Sequence, residues 1–172
     1  MQQVFSTPKC MKENFRFTYC PGCDHGVATR LVAELIDELM HAAMSGPSAC
    51  NKQPWEFYVI KNEELLVKLR RSSRFTNMEA QLAIIVCGNL DKALPDSMKD
   101  YWIQDCSAAT NNILLRVTDL GLGAVWCGIY PQERAAERVK EILNLSVGLE
   151  KQSGFTSLFN QEINYLQDDN TR

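Results

Sequence analysis

The chain has 172 residues, 45% of them hydrophobic, with 18 Lys or Arg against 21 Asp or Glu and a net charge of −3 at pH 7. That size suits one compact domain with a sizeable core and no solenoid repeat, and the scattered charge argues against a nucleic-acid footprint or a membrane-surface face. No apolar run reaches bilayer length and the N-terminus lacks the order of a signal peptide. The seven cysteines, an odd set in apolar contexts, fit buried reduced thiols, so a cytoplasmic protein is expected.

Residues 1–27 read as an irregular leader that ends in Cys20-Pro21-Gly22-Cys23-Asp24-His25. A Pro-Gly turn can bring its two flanking thiols close enough to share a metal, a cluster iron or a disulfide. A closed tetrahedral site or an iron–sulfur cluster needs about four ligands, and apart from His25 the other candidates lie far along the chain. A plain turn before a helix is the competing reading, and no metal site is assigned.

From Ala28 to Met44, Leu31, Val32, Leu35, Ile36, Leu39, Met40 and Ala43 recur at intervals of three and four opposite Glu34, Asp37 and Glu38, which predicts an amphipathic helix. His41 falls on its surface. The helix stops at Ser45-Gly46-Pro47, where the stretch Pro47 to Phe57 begins. Two prolines, Pro47 and Pro54, stiffen the ends of a run of small and amide residues whose polar groups suit a flat, polar ligand. A strand follows from Trp55. A helix capped by Asn62, with Glu63 and Glu64 in its first turn, spans Asn62 to Arg71.

Leu82 to Cys87 is a continuous apolar run, expected as a strand covered on both faces. A Pro-containing loop from Asn89 to Lys99 leads into the longest helix, Tyr101 to Leu120. Its buried stripe is Ile103, Cys106, Ala109, Ile113, Leu114, Val117 and Leu120. Gly121 and Gly123 end that helix, Ala124 to Ile129 reads as a buried strand, Pro131 to Leu143 as a final helix, and residues 146–172 as a polar tail. Cys50 and Cys127 lack a neighbouring basic group in sequence and read as small packed residues rather than nucleophiles. Trp55 and Trp126 read as core.

Tyr19 to Leu39 resembles the start of the thiamine-diphosphate-binding beta subunit of 2-oxoacid:ferredoxin oxidoreductases, with Asp24 where that family has Gly and no diphosphate motif downstream. Ala42-Ala43-Met44 followed by Pro-Ser-Ala-x-Asn-x-Gln-Pro-Trp resembles the FMN-dependent nitroreductase family. Two further blocks, Gln104 to Leu115 and Gly121 to Pro131, occur in the order that family requires.

This second resemblance implies an α+β, nitroreductase-like domain over residues 28–145, with a central mixed β-sheet flanked by helices. It also implies a homodimer with FMN at the subunit interface, and hydride transfer from NADH or NADPH through flavin N5 to nitroaromatic, quinone or similar small acceptors. Pro47, Ser48, Asn51 and Gln53 are the cofactor-binding residues it points to, together with the backbone around Cys127 and Gly128 at the N5 edge. No side chain need act as a catalytic acid or base, since the flavin carries the chemistry. The loop after Asn89, Leu94 included, falls on the substrate side, and the small residues Ser107 and Ala108 suit a dimer interface.

The arginine-rich opening that grips the FMN phosphate in that family, and its closing strand with a basic residue, do not stand in their usual places. Arg70-Arg71-Ser72-Ser73-Arg74-Phe75 copies the first of these almost letter for letter, but after the Pro47–Gln53 loop instead of before it, and reads as a coincidence at a solvated helix end. The alternatives are therefore a remnant that keeps the fold without flavin activity, or an iron–sulfur or metal-binding module on Cys20 and Cys23.

Overall fold

The structure, a computed structural model, describes residues 24–143 except Phe75, and 155–161; side chains are described for 32–143. Residues 1–23 of the leader, with Cys20 and Cys23, lie outside the described residues, and its last four residues open the first helix.

The elements in chain order are α1 (Asp24–Met44), β1 (Trp55–Ile60), α2 (Glu63–Arg70), β2 (Ala83–Gly88), α3 (Tyr101–Asp119), β3 (Gly123–Gly128), α4 (Glu133–Leu143) and β4 (Phe155–Gln161), with 3-10 turns at Ala49–Asn51 and Asp96–Met98. The strands form one sheet in the order β1-β2-β4-β3. Every pairing among them is antiparallel, with the row Phe57–Val86–Thr156–Gly128 running across all four. The α+β architecture with a central sheet between helices is as the sequence implies. The parallel pair that would make the sheet mixed is not among the described pairings.

Alternation along β2 explains the three layers. All six of its residues are buried. Ile84 and Val86 face a core shared with α1 and α3 (Ile36, Leu39, Ala43, Cys106, Ala109, Ile113, Val117). Ala83, Ile85 and Cys87 face a second core with α2 and α4 (Leu66, Leu69, Ala135, Val139). Successive side chains of a strand point to opposite faces, so a run that is apolar at every position must be covered twice. Each fully buried Leu or Ile contributes about 1.5–3 kcal/mol, which makes these stripes the source of the helix orientations.

Local signals act as expected at the helix ends. Asn62 Oδ1 accepts the Leu65 N–H at 3.0 Å, capping α2. α1 and α3 pack antiparallel, as Asn112 Nδ2 donating to the Ala42 carbonyl at 3.2 Å and the Arg116–Glu38 ion pair show.

Three expectations change. Phe155–Gln161 lies within the stretch read as a polar tail, yet it forms β4 and pairs with both β2 and β3. Trp126, expected in the core, is 39% exposed; among the described strands β3 lies at an edge, and an apolar run does not reveal how many neighbours a strand has. Val32, on the predicted α1 stripe, is 40% exposed.

Candidate functional site

The start of β1, the end of β2 and the end of β3 lie at one end of the sheet, because Trp55 pairs with Gly88 and Gly128 shares a row with Val86. Three chain segments gather there: the Pro47–Gln53 loop, the loop that begins at Asn89, and residues 128–132.

The Pro47–Gln53 loop has an unusual backbone. Cys50, Asn51 and Gln53 have φ of 49°, 55° and 47°, a left-handed conformation in which the Cβ of an L-residue crowds its own carbonyl. Internal bonds close the turn: the Asn51 N–H donates to the Ser48 carbonyl at 3.0 Å, the Lys52 N–H to the Ala49 carbonyl at 3.1 Å, and the Gln53 N–H to Ser48 Oγ at 3.0 Å. One bond joins it to α3, from the Ala49 N–H to Oδ1 of the buried Asp105 at 2.8 Å. Pro47, Asn51 and Gln53 are exposed and Ser48 is half-buried. The loop therefore presents a hydroxyl and two amides on a constrained frame. Cys50 is exposed as well, against the expectation that it packs.

The Asn89 loop is pinned to β1. Asn89 Nδ2 and Lys92 Nζ both donate to Glu56 Oε1, at 2.7 and 3.0 Å, and the Asn89 N–H donates to the Pro54 carbonyl at 2.7 Å. The bond from Asn89, reinforced by Lys92, holds the Glu56 carboxyl below its ordinary value of 4.5 despite its partial burial. A lowered carboxylate pKa adds stability that is present above the unfolded value and lost as pH falls through the folded one. Glu56→Gln is accordingly expected to cost less than about 1 kcal/mol at pH 7, since the ion pair keeps contact with water. In urea titrations the gap to wild type should close below about pH 4.5; a gap independent of pH would remove the carboxylate from this role.

At the third segment Cys127 is 2% exposed and packs into the α2/α4 core. Gly128 is exposed, with nothing within 4 Å of where a Cβ would stand. Tyr130 sets its ring edge-on to the buried Trp102 of α3, with centroids 5.2 Å apart. The thiols of Cys87 and Cys106 are pushed up by burial, that of Cys106 to about 12, which leaves them unreactive at neutral pH.

The structure thus brings Pro47, Ser48, Asn51 and Gln53 together in one loop and Cys127 and Gly128 together at one strand end. The strands these groups flank, β1 and β3, stand at opposite edges of the described sheet, three strand spacings, about 14 Å, apart.

The structure does not bring Arg70, Arg71 and Arg74 to the loop, since α2 packs with α4 on the sheet face opposite α3. Their segment is a helix stop built on buried polar groups, with Ser72 Oγ donating to the Leu69 carbonyl at 2.7 Å and Arg138 Nη1 to the Ser72 carbonyl at 3.5 Å. The role of Asp105 is not legible in sequence, because it acts across 56 positions on a backbone amide. Among the described residues no group of three His, Cys, Asp or Glu could hold a metal, and no helix is long and apolar enough to cross a membrane.

The Nitroreductase family profile matches residues 28–81 and 74–158. A protein of Archaeoglobus fulgidus, provisionally named NADH dehydrogenase/NAD(P)H nitroreductase, is 44% identical over 114 residues, which are 65% of this chain and 64% of that one. The chain thus aligns with just under two thirds of that relative's length. Among solved structures, one from Clostridium acetobutylicum, provisionally named an NADH oxidase, superposes with a TM-score of 0.67 at 37% identity, covering 75% of each chain. Another, from Desulfovibrio desulfuricans, provisionally named a nitroreductase and solved in complex with FMN, superposes at 0.61 with 26% identity, covering 74% of this chain and 72% of that one.

Proposed function

The chain belongs to the nitroreductase family, and from that premise we propose that it is an FMN-dependent oxidoreductase passing hydride from NADH or NADPH to a nitroaromatic, quinone or similar small acceptor. The observation that carries this reading is the Pro47–Gln53 loop, whose left-handed backbone presents Ser48, Asn51 and Gln53 at the sheet end where Gly128 leaves open space. FMN, when bound, supplies reversible two-electron hydride exchange at N5.

The chain's own residues bind and orient. The Asn51 and Gln53 amides offer both donors and acceptors to a polar ring edge. The missing side chain at Gly128 permits close approach of a flat ring to the backbone. The Glu56–Asn89–Lys92 cluster fixes the start of the loop on the substrate side.

The proposal includes a homodimer. A twofold pairing that sets the loop of one protomer beside the β3 end of its partner would unite the two half-sites. Exposed Trp126 on the edge strand, with Leu115 on α3 and Met44 at the end of α1, supplies apolar surface for that contact.

The test is Asn51→Gly. Glycine keeps the left-handed backbone without strain and removes only the amide. An FMN titration followed by fluorescence quenching should show affinity about tenfold weaker, the value of one hydrogen bond of about 1.4 kcal/mol. Unchanged affinity would remove the loop from the ring site.

A further inference from the structure

Left-handed backbone at three non-glycine residues persists only where the surroundings over-determine it, and Cys50, Asn51 and Gln53 occupy it within four positions. The turn's internal bonds run between its own atoms, so they fix its shape but not its direction. Direction needs a link to a rigid element, and the Ala49 N–H to Asp105 Oδ1 bond at 2.8 Å is such a link. Asp105 lies one turn into α3, the helix that crosses the sheet, and is only 6% exposed. A carboxylate in an apolar seam beside Trp102, Cys106 and Ala109 is costly unless a donor meets it. A carboxylate also holds a backbone N–H about twice as strongly as a neutral acceptor does.

We infer that Asp105 is a positioning residue. Through Ala49 it aims the left-handed turn, and with it Asn51 and Gln53, toward the end of the sheet. The identity of the ligand rests on the flavin reading above; the hold on the loop does not.

Three variants of the full chain test this by amide hydrogen exchange and by FMN titration. Asp105→Ala removes the acceptor and Asp105→Asn retains an acceptor oxygen. Ala49→Pro removes the donor without touching α3, at the first position of a helical turn, where proline is tolerated and where Ser48 before it is already extended. Asp105→Ala and Ala49→Pro should each speed exchange at residues 50–53 by about tenfold or more, and weaken FMN by a similar factor, while β2 and the middle of α3 keep wild-type rates. Asp105→Asn should stay within about threefold of wild type, since the bond survives in neutral form.

Unchanged exchange at 50–53 in both Asp105→Ala and Ala49→Pro would overturn the inference. So would an equal rise across the loop, β2 and α3, which would make Asp105 a general core residue. Asp105→Asn as impaired as Asp105→Ala would overturn it too. A loop that loosens as expected in a protein that never binds FMN, wild type included, would uphold the positioning and sink the flavin reading instead.

Discussion

Gly88→Ala should destabilise the protein by about 3 kcal/mol, at the upper end of what overpacking a core costs. A Cβ built on Gly88 would stand 2.3 Å from Cε3 and 2.8 Å from Cδ2 of Trp102, distances at which one group must move. The indole is 5% exposed, lies in the core with Trp55, Val86 and Cys106, and carries the edge contact with Tyr130. It cannot swing aside into water as the tip of a flexible chain would. The backbone at Gly88 is held by pairing with Trp55. The strain therefore falls on the junction of β2, α3 and residue 130, and the candidate site should loosen with it. Urea denaturation of wild type and variant measures the effect. A loss below about 1 kcal/mol would mean that the Trp102 ring repacks freely.

Gly128→Val should do the reverse, leaving stability intact while weakening the proposed flavin binding. Among the described residues no atom stands within 4 Å of the position its Cβ would take, which leaves room for it there. Valine also favours a strand, where Gly128 pairs with Thr156. If a flavin ring must approach that backbone, the branched side chain occupies the ring's place. A steric penalty of about 3 kcal/mol would weaken FMN about a hundredfold. The expected result is an unchanged urea midpoint with FMN affinity down by that factor. Unchanged affinity would move the ring site away from β3, and a lower midpoint would mean that the space at Gly128 is filled in the folded protein. The pair of glycines separates the fold from the site: one is required by a neighbouring ring, the other by nothing among the described residues.

Much of this architecture is legible in the residues. The three-and-four spacing of Ile36, Leu39 and Ala43, and of Cys106, Ala109, Ile113 and Val117, identifies the two helices that pack on one face. The unbroken run from Ala83 to Cys87 shows that β2 is covered twice. Asn62 caps the helix it precedes. These features are local, and local chemistry determines them.

What stays hidden depends on distant partners. β4 is a strand because β2 and β3 lie on either side of it, and nothing in Phe155–Gln161 announces those neighbours. Trp126 looks like core until the strand order puts β3 at an edge. The loop's left-handed turn sits at Cys50 and Gln53, residue types that do not favour it. Asp105, which holds the loop, belongs to a different block of the sequence. The loop residues Ser48, Asn51 and Gln53 are readable as a polar group suited to a flat ligand, but their separation from Cys127 and Gly128 by two strands is a property of the sheet alone.

If this chain holds FMN in a site completed by a second copy of itself, the visible absorption spectrum of the purified protein, taken with and without added FMN and together with its mass in solution, should show bound flavin at one FMN per chain on a dimer. A folded protein that stays colourless in excess FMN would rule out the flavin site, and one that binds FMN as a monomer would rule out the shared one.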